Sequence, residues 1–323
     1  MRRVALAVLV VVALVAAGWW SGREPRLDAL AAARSELALA LEPRRVDVGE
    51  VTLFVVLAGP PEGPPIVLLH GFPEFWYAWK GVIAPLAAAG HRVIVPDQRG
   101  YGDSEKPRGV DAYRVELLAD DVAGLIDALA YERADVAAHD WGGGVAWMLA
   151  LRHPERVRRL AVLDTPHPDA ARVVESREER ISWYRTAFQI PWLPEWAARL
   201  GHWRLVCGML RDTARPGAFP EEKLALYRSA WDRDGAFGAM VNWYRAAFRA
   251  PPPAEPPGAR RVSAPTLLLL APDDAFIPSD LTRASLQFLD DGRLVELERG
   301  THWVLQEEPE AVAAELVRFF GAP

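Results

Sequence analysis

The chain has 323 residues, 51% of them hydrophobic and 25% charged, with a formal net charge of −6. That composition supports one large core, and with no clustered basic face it excludes nucleic acid as an expected partner. The single cysteine, Cys207, excludes an intrachain disulfide and a thiolate metal cluster.

Two arginines, Arg2 and Arg3, precede an uninterrupted apolar run from Val4 to Trp20. The run is at the short end of what spans a bilayer, and Trp19 and Trp20 would sit at the headgroups. The expectation is an uncleaved N-terminal anchor over residues 1–22, a membrane partner, and a catalytic domain held outside the cytoplasm. The rival is a cleaved signal peptide with Val15, Ala16 and Ala17 before the cut, giving a secreted protein. Residues 21–44 mix alanine, leucine and charge at helical spacing, so a connecting helix is assigned to residues 23–44.

From there "VDVGEVTLFVVLAG" alternates around a turn at Gly49-Glu50, as a β-hairpin does. "PPIVLLHG" and "HRVIVPD" read as buried strands, "YRVELLADDVAGLIDALA" as a helix, "RADVAAHD" as a strand, "GGGVAWMLALRHP" as a helix and "VRRLAVLDTP" as a strand. Such alternation implies a parallel sheet covered on both faces. It stops at residue 168, where a stretch rich in Trp, Arg and Ala has helical character. A proline-rich linker, "APPPAEPPG", ends that stretch. The strands "APTLLLLAPDD" and "GRLVELERG" and the helix "EPEAVAAELVRFF" then complete the pattern. The expected domains are therefore an α/β core over 45–167 and 258–323, interrupted by a helical insertion over 168–257.

Chemistry gathers at the strand ends. In "AHDWGGGVAW", Asp140 sits between a strand and a helix, flanked by small residues, as in a nucleophile elbow. Ala138 stands where the first glycine is usual, and Gly142 is the second. A carboxylate there forms an ester by displacement at carbon, and that ester must then be hydrolysed. The plainer alternative is an N-cap aspartate opening the helix. Asp274 follows the next-to-last strand and His302 the last, so nucleophile, acid and histidine come in the chain order of a hydrolase triad. His302 would be the base and Asp274 its orienting partner, with adjacent Asp273 an alternative acid. In "LLHGFPEF", the Phe72 amide can join that of Trp141 as an oxyanion hole, and Phe72–Pro73 is a candidate cis bond.

Together "HGFPEFWYAW", "PDQRGYGDS", "HDWGGGVAW" and "THW" resemble the α/β-hydrolase-fold epoxide hydrolases, from about Val46 to the C-terminus. The N-terminal run resembles that of the membrane-anchored members. The resemblance implies a mostly parallel eight-stranded sheet with a helical cap over 168–257. It also implies two ring-opening tyrosines, Tyr184 in "WYRTAFQIPWLPE" and Tyr244 in "NWYRA". Neither cofactor nor metal is implied; the partners are a small apolar epoxide and water. Two features depart from the family: Ala138 for glycine, and "LLLLAPDD" for the usual aromatic-Gly-Glu run before the acid. A haloalkane dehalogenase shares the triad, but often holds its halide through an Asn where Phe72 stands. A non-catalytic ligand-binding hydrolase fold is the alternative of another class.

Overall fold

The computed structural model describes residues 26–174, 182–249 and 260–321. Its centre is an eight-stranded sheet of order β1-β2-β4-β3-β5-β6-β7-β8. The strands are β1 (Glu42–Asp47), β2 (Thr52–Ala58), β3 (Pro65–Leu69), β4 (Arg92–Pro96), β5 (Ala134–His139), β6 (Val157–Leu163), β7 (Thr266–Leu270) and β8 (Gly292–Glu296). β1 and β2 form an antiparallel hairpin that closes at Asp47 and Thr52, and β2 lies antiparallel to β4. From β4 onward each neighbouring pair is parallel. β3, β5 and β7 are buried along their whole length, because helices cover both faces of a parallel sheet and leave no polar side.

The connecting helix is shorter than its composition suggests. Helix α1 spans Ala29–Leu37; Asp28 opens it by accepting from the amides of Leu30 and Ala31, and Ala38 closes it in a left-handed conformation, φ 47°. Residues 42–47 then join the sheet as an edge strand that exposes a proline, Pro43, and the charges of Arg44, Arg45 and Asp47, the usual protection of a sheet edge. The expected membrane anchor does not stand. Among the described residues no helix is long and apolar enough to cross a membrane, and the run 4–20 lies outside the described residues. The membrane partner and the location inferred from that run fall with it.

Helices α2 (Lys80–Ala88), α3 (Val115–Ala128) and α4 (Trp141–Arg152) follow β3, β4 and β5. α3 packs on α4, and α2 on the terminal helix Pro309–Gly321. A Cβ on Gly81 would fall 2.5 Å from the Pro309 Cβ, so that second contact needs a glycine. Between β6 and β7 the described residues are mainly helical, with α5 (Trp183–Ala187), α6 (Leu193–Arg199), α7 (Arg204–Thr213), α8 (Glu221–Trp231) and α9 (Ala236–Arg249). Side chains from α8 and α9 bind these helices to the core. The Trp231 indole donates to Pro73 O at 2.6 Å, the Trp243 indole to Arg99 O at 3.1 Å, and the Tyr227 hydroxyl to Glu74 at 2.9 Å.

Candidate active site

The turn from β5 into α4 is tight. Asp140 has φ 51° and ψ −123°, a backbone region that a non-glycine residue occupies only under constraint. Its neighbours come close enough to hold it there. A Cβ on Gly142 would lie 2.4 Å from the Leu69 carbonyl oxygen, and one on Gly71 would lie 2.5 Å from the Asp140 Cβ. Ala138 is fully buried, paired across β5 with Leu69 and Val162. It precedes the sharp part of the turn, so its methyl group is accommodated. The Asp140 side chain makes no capping bond to α4, which sets aside the N-cap reading.

That side chain instead faces two other loops. Asp140 Oδ1 accepts the Phe72 amide at 2.7 Å, and Oδ2 lies 3.6 Å from His302 Nε2. On the far side of the ring, His302 Nδ1 lies 2.7 Å from Asp274 Oδ2. Asp274 Oδ1 accepts the amides of Phe276 and Ile277 at 2.6 and 2.9 Å, which orients the carboxylate. Asp274 is the carboxylate against the ring; Asp273 uses its own amide to bond Gly300 O. The Trp141 amide is the first of α4, and the Phe72–Pro73 bond is cis.

Charge is balanced against burial here. Burial raises the pKa of a carboxyl group, but His302, His139 and the Phe72 amide outweigh it and hold Asp140 below the usual carboxylate range. Burial also disfavours an imidazolium at His302; Asp274 and Asp140 together overcome it and raise His302 well above the ordinary histidine value. The resting arrangement is therefore an imidazolium between two carboxylates.

Above this line lies an apolar cavity of about 430 Å³. Asp140 and His302 open into it from the sheet, and Tyr184 and Tyr244 from α5 and α9. The two phenol rings are 5.7 Å apart, and Tyr244 also packs on Phe72 at 5.1 Å and Trp141 at 4.8 Å. Burial first, then Tyr184 and Asp140, push the Tyr244 hydroxyl well above the usual phenol range. It carries its proton at neutrality and is a donor.

Two further groups stand beside the histidine without a sequence motif of their own. Glu74 is buried; its Oε1 accepts the Tyr227 hydroxyl and the Gln306 amide at 3.0 Å, and its Oε2 lies 3.6 Å from His139 Nδ1. The His139 ring in turn is 4.8 Å from that of His302. Each stands beside a residue already singled out, Glu74 inside "HGFPEF" and His139 before Asp140. Among the described residues no cluster of His, Cys, Asp and Glu is arranged to hold a metal ion.

A family model described as alpha/beta hydrolase fold matches residues 64–309. The chain belongs to the alpha/beta hydrolase family. It is 40% identical over 275 residues to the AB hydrolase superfamily protein YfhM of Bacillus subtilis, covering 84% of this chain and 95% of that one. It is 32% identical to epoxide hydrolase A of Mycobacterium tuberculosis over 310 residues, covering 85% and 96%. Among solved structures, epoxide hydrolase A of Mycobacterium thermoresistibile superposes with a TM-score of 0.72 at 29% identity, covering 87% and 98% of the two chains. The eight-stranded, mostly parallel sheet is as expected from the sequence.

Proposed function

We propose that the protein is an epoxide hydrolase that opens an apolar epoxide to a vicinal diol through an ester on Asp140. The eight-stranded sheet and the helices that flank it are the core, and the helices within 168–257 are its cap. Asp140 Oδ2 attacks a ring carbon and the C–O bond breaks. Tyr184 and Tyr244 donate hydrogen bonds to the departing oxygen; it takes a proton from one phenol to become the first hydroxyl, and that phenolate is reprotonated at the expense of the His302 imidazolium. Alkylation removes the Asp140 charge and with it one of the two carboxylates that favour imidazolium. His302 therefore gives up its proton more readily at that moment and stands as a neutral base, with Asp274 still orienting it.

His302 then takes a proton from water, whose oxygen attacks the ester carbonyl carbon. Asp140 Oδ1 becomes the oxyanion; it already lies 2.7 Å from the Phe72 amide, within the range such a donor needs. Trp141 is assigned as the second donor. Collapse expels the second oxygen of the substrate, which takes the proton of the newly formed carboxylic acid, so that the diol leaves and the carboxylate is restored.

The observation that carries this reading is one of placement. A depressed carboxylate and its histidine lie at the floor of an apolar cavity that two phenols also line. The relatives named epoxide hydrolase support the same reading. A halide leaving group has no use for two phenol donors, and Phe72 offers no side-chain donor in return. A panel of aryl and alkyl epoxides against haloalkanes, scored for diol and halide, tests the assignment. Diol from the epoxides is expected; halide release without diol would overturn it.

A further inference from the structure

Ring opening calls on two phenols at one oxygen, and they stand on unlike supports. Tyr244 belongs to α9, which buried Phe237, Met240, Val241 and Trp243 fasten in place. Tyr184 belongs to α5, a five-residue helix with no buried residue, whose Trp183 is 73% exposed. So short a helix is not stable by itself in water. The loop that leads from it into α6 is no firmer: Trp192 sits there in a left-handed conformation, φ 54°, and is 74% exposed. The position of Tyr184 is therefore set from outside α5.

Arg245, the residue after Tyr244, reaches across to that loop. One step along a helix turns a side chain by roughly 100°, so Tyr244 faces the cavity while Arg245 faces the chain between α5 and α6. The Arg245 side chain is buried, and Nε donates to Phe188 O at 2.8 Å. Nη2 donates to Ile190 O at 2.9 Å and to Glu195 Oε2 at 3.2 Å. Nη1 donates to Glu195 Oε1 at 2.6 Å and to Asn242 Oδ1 at 3.2 Å. Every N–H of the guanidinium fork is thus used. Phe188 in turn donates its amide to Tyr184 O at 2.8 Å. A continuous line of bonds runs from Tyr184 through Phe188 to the neighbour of Tyr244. The Phe188 ring reinforces it, packing on Tyr184 at 5.7 Å and on Tyr244 at 5.0 Å.

We propose that Arg245, with Glu195 as its carboxylate, is a positioning residue for ring opening that fixes Tyr184 against Tyr244 so that both phenols reach one epoxide oxygen. Neither Arg245 nor Glu195 lines the cavity, so the effect passes through the tyrosines. The planar fork matters as well as the charge. An ammonium group offers three donors from one atom and cannot span two carbonyls and a carboxylate in the same way. Ester hydrolysis uses neither phenol and should be spared.

This role rests on the phenols serving the epoxide oxygen, and the test keeps the two ideas apart. Alkylation and ester hydrolysis are timed separately in single turnovers of Arg245→Lys, Tyr184→Phe, their combination, and Tyr184→Phe/Tyr244→Phe. Arg245→Lys should slow alkylation about 10- to 100-fold, the cost of a reacting group displaced by about an ångström. Ester hydrolysis should stay within about twofold of the parent. In the Tyr184→Phe background no pair is left to align, and the same change should cost less than about threefold. Unchanged alkylation in Arg245→Lys would overturn the role of Arg245. So would equal slowing of both steps, or the same loss of alkylation in both backgrounds, since either marks a contact that only stabilises the fold. Parental alkylation in Tyr184→Phe/Tyr244→Phe would instead overturn the reading beneath it. Should Arg245→Lys fail to fold, Glu195→Gln removes one acceptor oxygen and the countercharge, and in the same cycle it should show the same selective loss of alkylation.

Discussion

Replacing Tyr184 and Tyr244 with phenylalanine isolates the step that distinguishes an epoxide from other substrates of an aspartate nucleophile. Tyr244 keeps its ring contacts to Phe72, Trp141 and Tyr184 after the change, so the cavity wall stays in place and the hydroxyl is the main loss. A hydrogen bond to a group gaining charge contributes about 1.5–3 kcal/mol. At about 1.4 kcal/mol per factor of ten, each single change should slow alkylation roughly 10- to 150-fold. The double change should slow it by about 10² to 10⁴, if the two donors act independently. Trp141 adjoins Asp140 in sequence and packs against the Tyr244 ring, so its fluorescence can follow alkylation in a stopped-flow single turnover. Running the variants in a His302→Gln background removes ester hydrolysis from the signal. If the double variant alkylates within about threefold of its parent, the phenols only pack, and the epoxide assignment loses its chemical basis.

Three further outcomes follow from the geometry. Gly142→Ala sets a methyl group 2.4 Å from the Leu69 carbonyl oxygen; the elbow must shift, and both diol formation and the melting temperature should fall, whereas unchanged values in both would mean that the turn is not tightly held. The pKa of His302 is raised in the fold, so its contribution to stability is full below the unfolded value of about 6.5 and is lost as pH climbs through the folded one. Melting curves from pH 6 to 10 should therefore fall more steeply for the parent than for His302→Gln, and parallel curves would contradict the imidazolium. Burial pushes His70 down to about 4, so its neutral form favours folding, and that stability is lost as pH falls from about 6.5 toward 4. The urea midpoint of His70→Gln should then depend less on pH in that window than the parent's.

Legibility in the sequence followed the range of the physical signal. The hairpin at Gly49, the buried strands and the helix Val115–Ala128 carry their periodicity locally, and all three are present. Only the start of the edge strand, Glu42 to Arg44, carries no such signal, and its charges read as a continuation of the preceding helix. Around the site, Asp140 and His302 were marked by their strand-end motifs. The choice between Asp273 and Asp274 needed three dimensions, because it depends on which carboxylate reaches His302 Nδ1. Glu74 and His139 were silent for a related reason. Each is a buried polar group whose partners lie on other strands and loops, and one-dimensional spacing does not report such encounters.

The covalent ester on Asp140 is the claim on which everything else depends, and His302→Gln should trap it. The variant is mixed with excess styrene oxide, its intact mass is recorded, and a peptide digest locates the modification. One substrate equivalent should be bound per chain, on the peptide that contains Asp140, with no diol released beyond the first turnover. Continued diol release from an unmodified His302→Gln protein, or an adduct on any other residue, would contradict it.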